Sequence, residues 1–155
     1  MTLEEYKAKR DFRKTPEPRP SPASKKARSL SYVIQKHHAS HLHYDLRLEE
    51  GGALKSWAIP KLPPREEGIR RLAVETEDHP LGYEGFEGII PQGEYGAGKV
   101  EVWDHGVYLP QETDPGKRVI EIKGRKLKGR YGLIKLKAGN PEDKNWLFFK
   151  LKSPL

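Results

Sequence analysis

From residue 30 onward, apolar residues recur in short runs, many with a period of two, and turn-forming residues break them up. The runs are LSYVIQK (30–36), HYDLRLE (43–49), ALKSWAI (53–59), RLAVETE (71–77), GKVEVWD (98–104), RVIEIKG (118–124), YGLIKLK (131–137) and NWLFFKL (145–151). Side chains of an extended chain point to opposite faces in turn, so such runs predict strands with one buried side. Between them lie Gly51 and Gly52, the segment PKLPP (60–64), and glycines at 93, 96 and 98. No long stretch with a 3.6-residue period follows residue 12. Eight short strands with such turns predict a mainly β fold, an antiparallel barrel or sandwich.

The amino-terminal part has a different pattern. Residues 3–12 permit one short helix, and TPEPRPSPASKKARS (15–29) carries four prolines among polar residues, the composition of an extended arm. The expected organisation is an arm over residues 1–29 and one domain over residues 30–155, which is the usual size of a single domain.

Composition narrows the chemistry. The chain has 29 lysines and arginines against 22 acidic residues, a formal charge of +7, which favours a polyanion such as nucleic acid, although an even lysine excess also serves solubility. It contains no cysteine, which excludes disulfides and thiolate metal sites. Any metal must be held by nitrogen and oxygen. No run reaches the ~20 apolar residues of a membrane span, and MTLEEYKAKRDF lacks the apolar centre of a signal peptide. A cytoplasmic protein without membrane attachment is expected.

Four of the six histidines fall within HHASHLHYDLR, residues 37–47. On a strand, His41, His43, Asp45 and Arg47 share one face, while Leu42, Tyr44, Leu46 and Leu48 share the other. His43 and Asp45 are close enough to bind one cation, and His37 can return across the HASH turn as a third ligand. Two imidazoles and a carboxylate leave coordination positions open, as in a catalytic site, and suit manganese, zinc, iron or cobalt. Arg47 continues the face, where a phosphate can bridge a Lewis acid and a guanidinium. His38 and His41 read as turn or rim residues. The competing reading of the whole face is a solvated strand with ordinary hydrogen bonds.

A second group lies in RLAVETEDHPLGYEGFEG, residues 71–88. Pro80 favours an extended His79 at the strand end, and Arg71, His79 and Tyr83 can all donate to phosphate oxygens. The glycines of GIIPQGEYGAGKVEVWDHG (88–106) fit neither a Walker loop nor a dinucleotide fingerprint, so a tight hairpin turn is expected there.

Together, VIQKHHASHLHYDLRLE, GALKSWAIPK, RLAVETEDHPLGYEGFEG and IPQGEYGAGKVEVWDHG resemble the 3'-phosphoesterase module of DNA ligase D, the end-healing domain of prokaryotic non-homologous end joining. The likeness runs from about residue 10 to the carboxyl terminus. It implies a small antiparallel β-barrel with short flanking helices, an extended amino-terminal arm and a hydrophilic metal pocket. It implies metal ligands at His37, His43 and Asp45, with Arg47, His79, Tyr83 and Arg71 as catalytic residues. Gln35, and from the arm Arg10, Asp11 and Glu17, would bind substrate.

The cofactor implied is one divalent ion, Mn2+ foremost, with Zn2+ or Co2+ as alternatives. The reaction implied removes a terminal ribonucleoside from a DNA 3' end and then the remaining 3'-phosphate. A prokaryotic cytoplasmic monomer is expected, working beside a separate ligase, a polymerase and Ku. Lys25, Lys26 and Arg28, with Lys123, Arg125, Lys126, Lys128 and Arg130, would track the backbone, so that affinity falls steeply with salt. Two other classes fit parts of the pattern. One is a nonheme iron oxygenase; the other is a noncatalytic nucleic-acid-binding barrel with a structural metal.

Overall fold

The computed structural model describes residues 2–10, 12, 15–18 and 29–153. Among these residues are one helix, α1 (Leu3–Ala8), and nine strands: β1 (Leu30–His38), β2 (Leu42–Glu50), β3 (Ala53–Ile59), β4 (Arg70–His79), β5 (Gly88–Ile90), β6 (Gly98–Asp114), β7 (Lys117–Lys123), β8 (Lys128–Lys135) and β9 (Asn145–Lys150). A single 3-10 turn, Tyr83–Gly85, precedes β5. Eight strands close into an antiparallel barrel in the order β1-β2-β3-β4-β9-β8-β7-β6, with β6 returning to β1. The barrel and its short flanking helices agree with expectation. Asp11, Lys25, Lys26 and Arg28 lie outside the described residues.

All eight apolar runs are strands. Two differences have physical reasons. β5 is only three residues, GII, too short for an alternation to appear. β6 runs on through LPQETD because its pairing with β7 absorbs Pro110 at a register shift between Pro110 and Glu112, where the missing N–H does no harm. The start of β6 pairs with β1 on one side and β5 on the other, making the expected tight hairpin over residues 88–106. At Gly98 φ is +131° and a Cβ would overlap the His38 carbonyl oxygen, so only glycine lets β6 lie this close to the β1–β2 turn.

The interior is apolar. Tyr32, Ile34, Leu46, Leu48, Trp57, Ile59, Ala73, Ile120, Ile122, Leu133, Trp146 and Phe148 form one buried cluster drawn from most of the barrel strands. Burial of each large side chain contributes ~1.5–3 kcal/mol. A smaller cluster of Tyr6, Leu54, Tyr83, Phe86, Ile90 and Val100 covers part of the outer wall. There α1 packs on β4 and the 3-10 turn on β1 and the start of β6, with β5 paired to β6 beside them. β2 is buried on both faces from Tyr44 to Glu49, with Tyr44, Leu46 and Leu48 inside and Asp45, Arg47 and Glu49 outside.

The arm is held by α1. Thr2 caps it, its hydroxyl accepting from the Glu5 N–H at 3.2 Å, and Glu4 and Glu5 occupy the first turn. The helix buries Tyr6 completely, edge-on to His79 at 5.0 Å and Tyr83 at 6.0 Å, and the Tyr6 hydroxyl donates to the Pro18 carbonyl at 2.6 Å.

Candidate metal and phosphate site

The antiparallel register of β1 and β2 explains how distant sequence positions meet. His37 lies opposite His43, Gln35 opposite Asp45 and Val33 opposite Arg47, so all six project from the outer wall. The two imidazole rings stand 4.8 Å apart. His43 Nδ1 donates to the His41 carbonyl at 3.0 Å, and His37 Nε2 donates to the Gly96 carbonyl at 2.7 Å. Carbonyls only accept, so in the neutral rings the lone pairs are on His43 Nε2 and His37 Nδ1, free for a metal; a proton taken up there would instead be donated to Asp45. These atoms lie 3.2 Å and 3.6 Å from Asp45 Oδ2.

The three donor atoms are all within 4.8 Å of one another. Metal bonds of about 2.1 Å require ligand atoms about 3.0–3.4 Å apart, so small adjustments would complete the geometry. A backbone carbonyl behind each imidazole is also how metal-bound histidines are normally oriented. The set fits a divalent cation and leaves positions open for substrate. His38 instead bonds Glu101 at 3.0 Å, and His41 contributes its carbonyl, both at the exposed rim.

Beyond these three side chains lies a cavity of about 350 Å³ lined by Arg10, Asp45, Arg47, Glu77, His79 and Tyr83, among others. Arg47 is 4% exposed. Its Nε donates to Gln35 Oε1 at 2.7 Å, its Nη2 faces Asp45 Oδ2 at 3.6 Å, and its Nη1 lies 3.2 Å from His79 Nδ1. Arg10 Nη2 is 3.5 Å from the opposite ring nitrogen of His79. Two guanidinium groups thus flank one imidazole.

Charges within the site follow from these contacts. Burial alone would raise the Asp45 pKa, but the Arg47 charge and the hydrogen bonds from His37 and His43 hold it well below the usual carboxylate range. Burial opposes protonation of His43, yet its hydrogen bond to Asp45 and the charge there raise its pKa overall. His79 behaves oppositely: burial, then Arg47 and Arg10, push its pKa well below the ordinary 6.5. It is therefore neutral at pH 7 in the free protein. Burial raises the Tyr83 pKa far up, and its protonated hydroxyl donates to Glu17 Oε2 at 2.6 Å.

A depressed histidine pKa stabilises the fold above the unfolded value and loses that contribution as pH falls below it. Metal-free protein should therefore lose stability through His79 below about pH 6.5, at up to ~1.4 kcal/mol per pH unit. His43, with a raised pKa, contributes with the opposite sign. The check is the difference in urea-unfolding free energy between wild type and His79→Asn, followed from pH 7 to pH 5. A pH-independent difference would contradict it.

Gln35 is fully buried. Its amide donates to the Tyr83 and Phe86 carbonyls at 2.7 Å and 3.1 Å, so it orients Arg47 instead of facing substrate. Glu17 is likewise enclosed, bonding Arg10 Nε at 3.0 Å and the Thr15 hydroxyl at 3.0 Å. Nothing in the sequence pattern singles out Glu77, which pairs with Arg10 and, at 3.1 Å, with Lys9.

The reason is a bulge in β4. Leu54 pairs with His79 but Ser56 with Thr76, so one extra residue reverses the alternation and turns His79 outward, away from the side taken by Ala73. Arg71 precedes the bulge and is not brought to the site. It shares the side of Ala73, lies eight residues from His79, about 26 Å along an extended strand, and bonds the Leu62 carbonyl at 2.7 Å. Arg10 supplies the second guanidinium instead. Lys123, Arg125, Lys126, Lys128 and Arg130 form the β7–β8 hairpin, whose turn amides at 125, 126 and 127 bond Asp104.

Comparison with known proteins adds to this geometry. The sequence profile of the DNA ligase D 3'-phosphoesterase domain matches residues 35–135. A multifunctional non-homologous end joining protein LigD of Pseudomonas aeruginosa is 48% identical over 156 residues, covering 97% of this chain and 18% of that protein. Proteins of the same name from Mycolicibacterium smegmatis and Mycobacterium bovis are 45% and 44% identical, each covering 97% of this chain and 20% of the relative. The chain thus spans about a fifth of the length of these relatives. With the profile match running from Gln35 in β1 to Lys135 at the end of β8, through every strand residue of the pocket, the chain belongs to the DNA ligase D 3'-phosphoesterase domain family.

Proposed function

We propose that this chain is a divalent-metal-dependent phosphoesterase that heals DNA 3' ends. It removes a terminal ribonucleoside to leave a 3'-phosphate, then removes that phosphate to leave a 3'-hydroxyl. The observation that carries this reading is the convergence of His37 Nδ1, His43 Nε2 and the Asp45 carboxylate, with Arg47 against the same carboxylate. That pairing serves a phosphate better than it serves dioxygen or a purely structural ion.

When bound, the cation supplies a Lewis acid for a nonbridging phosphoryl oxygen. Arg47, fixed by Gln35 and Asp45, receives a second oxygen and stabilises charge developing on it. Arg10 faces the same phosphate from the other side of His79. Burial, then the two guanidinium charges, keeps His79 neutral; a bound phosphate offsets the charges, so the ring gains basicity and can take up a proton and pass it to the leaving oxygen. Tyr83 backs His79 edge-on at 4.6 Å and ties the arm to the site through Glu17.

Mn2+ is the proposed native ion, with Zn2+ or Co2+ able to substitute. A DNA-repair role beside a ligase, a polymerase and Ku, in a prokaryotic cytoplasm, fits a product ready for joining. Among the described residues no helix is long and apolar enough to cross a membrane.

The test is incubation of a primer ending in one ribonucleotide with each cation in turn, or with chelator. Two successive shortened products should appear with metal and none with chelator. An unchanged primer under every cation, with protein that demonstrably binds Mn2+, would refute the proposal.

A further inference from the structure

The loop 91–97 between β5 and β6 carries Tyr95 to the mouth of the cavity. Tyr95 is 50% exposed and, among the described residues, is the only exposed side chain of the phenylalanine, tyrosine and tryptophan type. Two hydrogen-bonded turns hold the loop, from the Glu94 N–H to the Pro91 carbonyl at 3.2 Å and from the Ala97 N–H to the Glu94 carbonyl at 3.1 Å. Gly93 and Gly96 supply its left-handed residues, with φ of +89° and +77°. The next residue, Gly96, gives the carbonyl that orients His37, so Tyr95 is fixed directly beside the metal ligands.

The surroundings suit a nucleotide. Lys9 Nζ lies 4.7 Å from the Tyr95 ring centre and the Arg10 guanidinium 5.1 Å, joining an aromatic surface to a cationic rim. The inner cavity wall, with Arg47, His79 and Asp45, takes the phosphate group. The base attached to the reacting end must leave through the mouth, where Tyr95 stands.

We propose that Tyr95 is a positioning residue that stacks the base of the nucleoside joined to the reacting phosphate. This rests on the phosphoesterase reading above and adds how the end is recognised. Every base has a π face, so stacking accepts any terminal nucleotide, as indiscriminate end healing requires.

The test uses a fluorescein-labelled single-stranded DNA ending in a 3'-phosphate, and the same strand with an abasic terminal nucleoside. Binding is read by anisotropy with chelator present, so nothing turns over. Tyr95→Ala should weaken binding to the base-containing strand about 10-fold. Tyr95→Phe and Tyr95→Trp should retain wild-type affinity, and the abasic strand should bind wild type and Tyr95→Ala alike. With Mn2+, the alanine variant should show a raised KM and a nearly unchanged kcat. Equal affinity of wild type and Tyr95→Ala for the base-containing strand overturns the proposal. A loss that persists in full on the abasic strand also overturns it, because the loop alone would then be responsible. Phosphate release by wild type with Mn2+ is followed in parallel: its absence sinks the phosphoesterase reading, while the anisotropy comparison still decides the role of Tyr95.

Discussion

Replacing His43 by alanine is expected to abolish divalent-cation binding and to lower turnover of both ester substrates by ~10²-fold or more. The fold should survive. The His43 side chain is 24% exposed, stands outside the barrel, and among the described residues bonds only Asp45 and the neighbouring His41 carbonyl. Asp45 keeps Arg47 and His37 as partners, so no buried charge is orphaned. Mn2+ titration, product formation and the urea midpoint together decide the matter. Wild-type metal affinity with full turnover would remove His43 from the ligand set. Loss of all three measurements together would show that the residue holds up the structure.

The second large effect is expected at Glu17. Its side chain is fully buried, one oxygen accepting from Arg10 and Tyr83 and the other from Thr15. Glu17→Gln keeps the shape but removes the charge, leaving Arg10 with Glu77 alone and placing an amide donor where only acceptors are useful. A half-broken buried ion pair costs about 3 kcal/mol. That cost falls on the arm, because the barrel strands pair without it. The arm should detach, exposing His79 and removing its second guanidinium. Limited proteolysis should then cut the chain ahead of residue 30 while the barrel core resists, with turnover down at least ~10-fold. Unchanged resistance and turnover would mean that the arm contributes neither cover nor catalysis.

The strands were legible because this barrel has one apolar face along nearly every strand, and alternation reports that directly. His37, His43 and Asp45 were legible for the same reason: a hairpin with a three-residue turn places the ends of two adjacent strands opposite each other. Glu77 and the outward turn of His79 depend on a bulge, which inserts a residue without any change in composition. Simple alternation would have sent His79 inward with Ala73. Arg71 was misjudged because linear proximity to His79 conceals the length of β4. The arm is the clearest limit. Prolines and charges there read as extended chain, and only family likeness drew attention to Arg10 and Glu17. Their burial comes from contacts with β4 and the 3-10 turn, some 65 residues away, which no local pattern records.

The double burial of β2 also guards against misfolding. A slip of one residue against β1 or β3 would thrust Asp45 and Arg47 into an oily interior and push Leu46 and Leu48 among charges, a penalty on both sides at once. Mispaired hairpins should therefore be discarded early in folding, and the same side chains proposed to perform the chemistry act as its proofreaders.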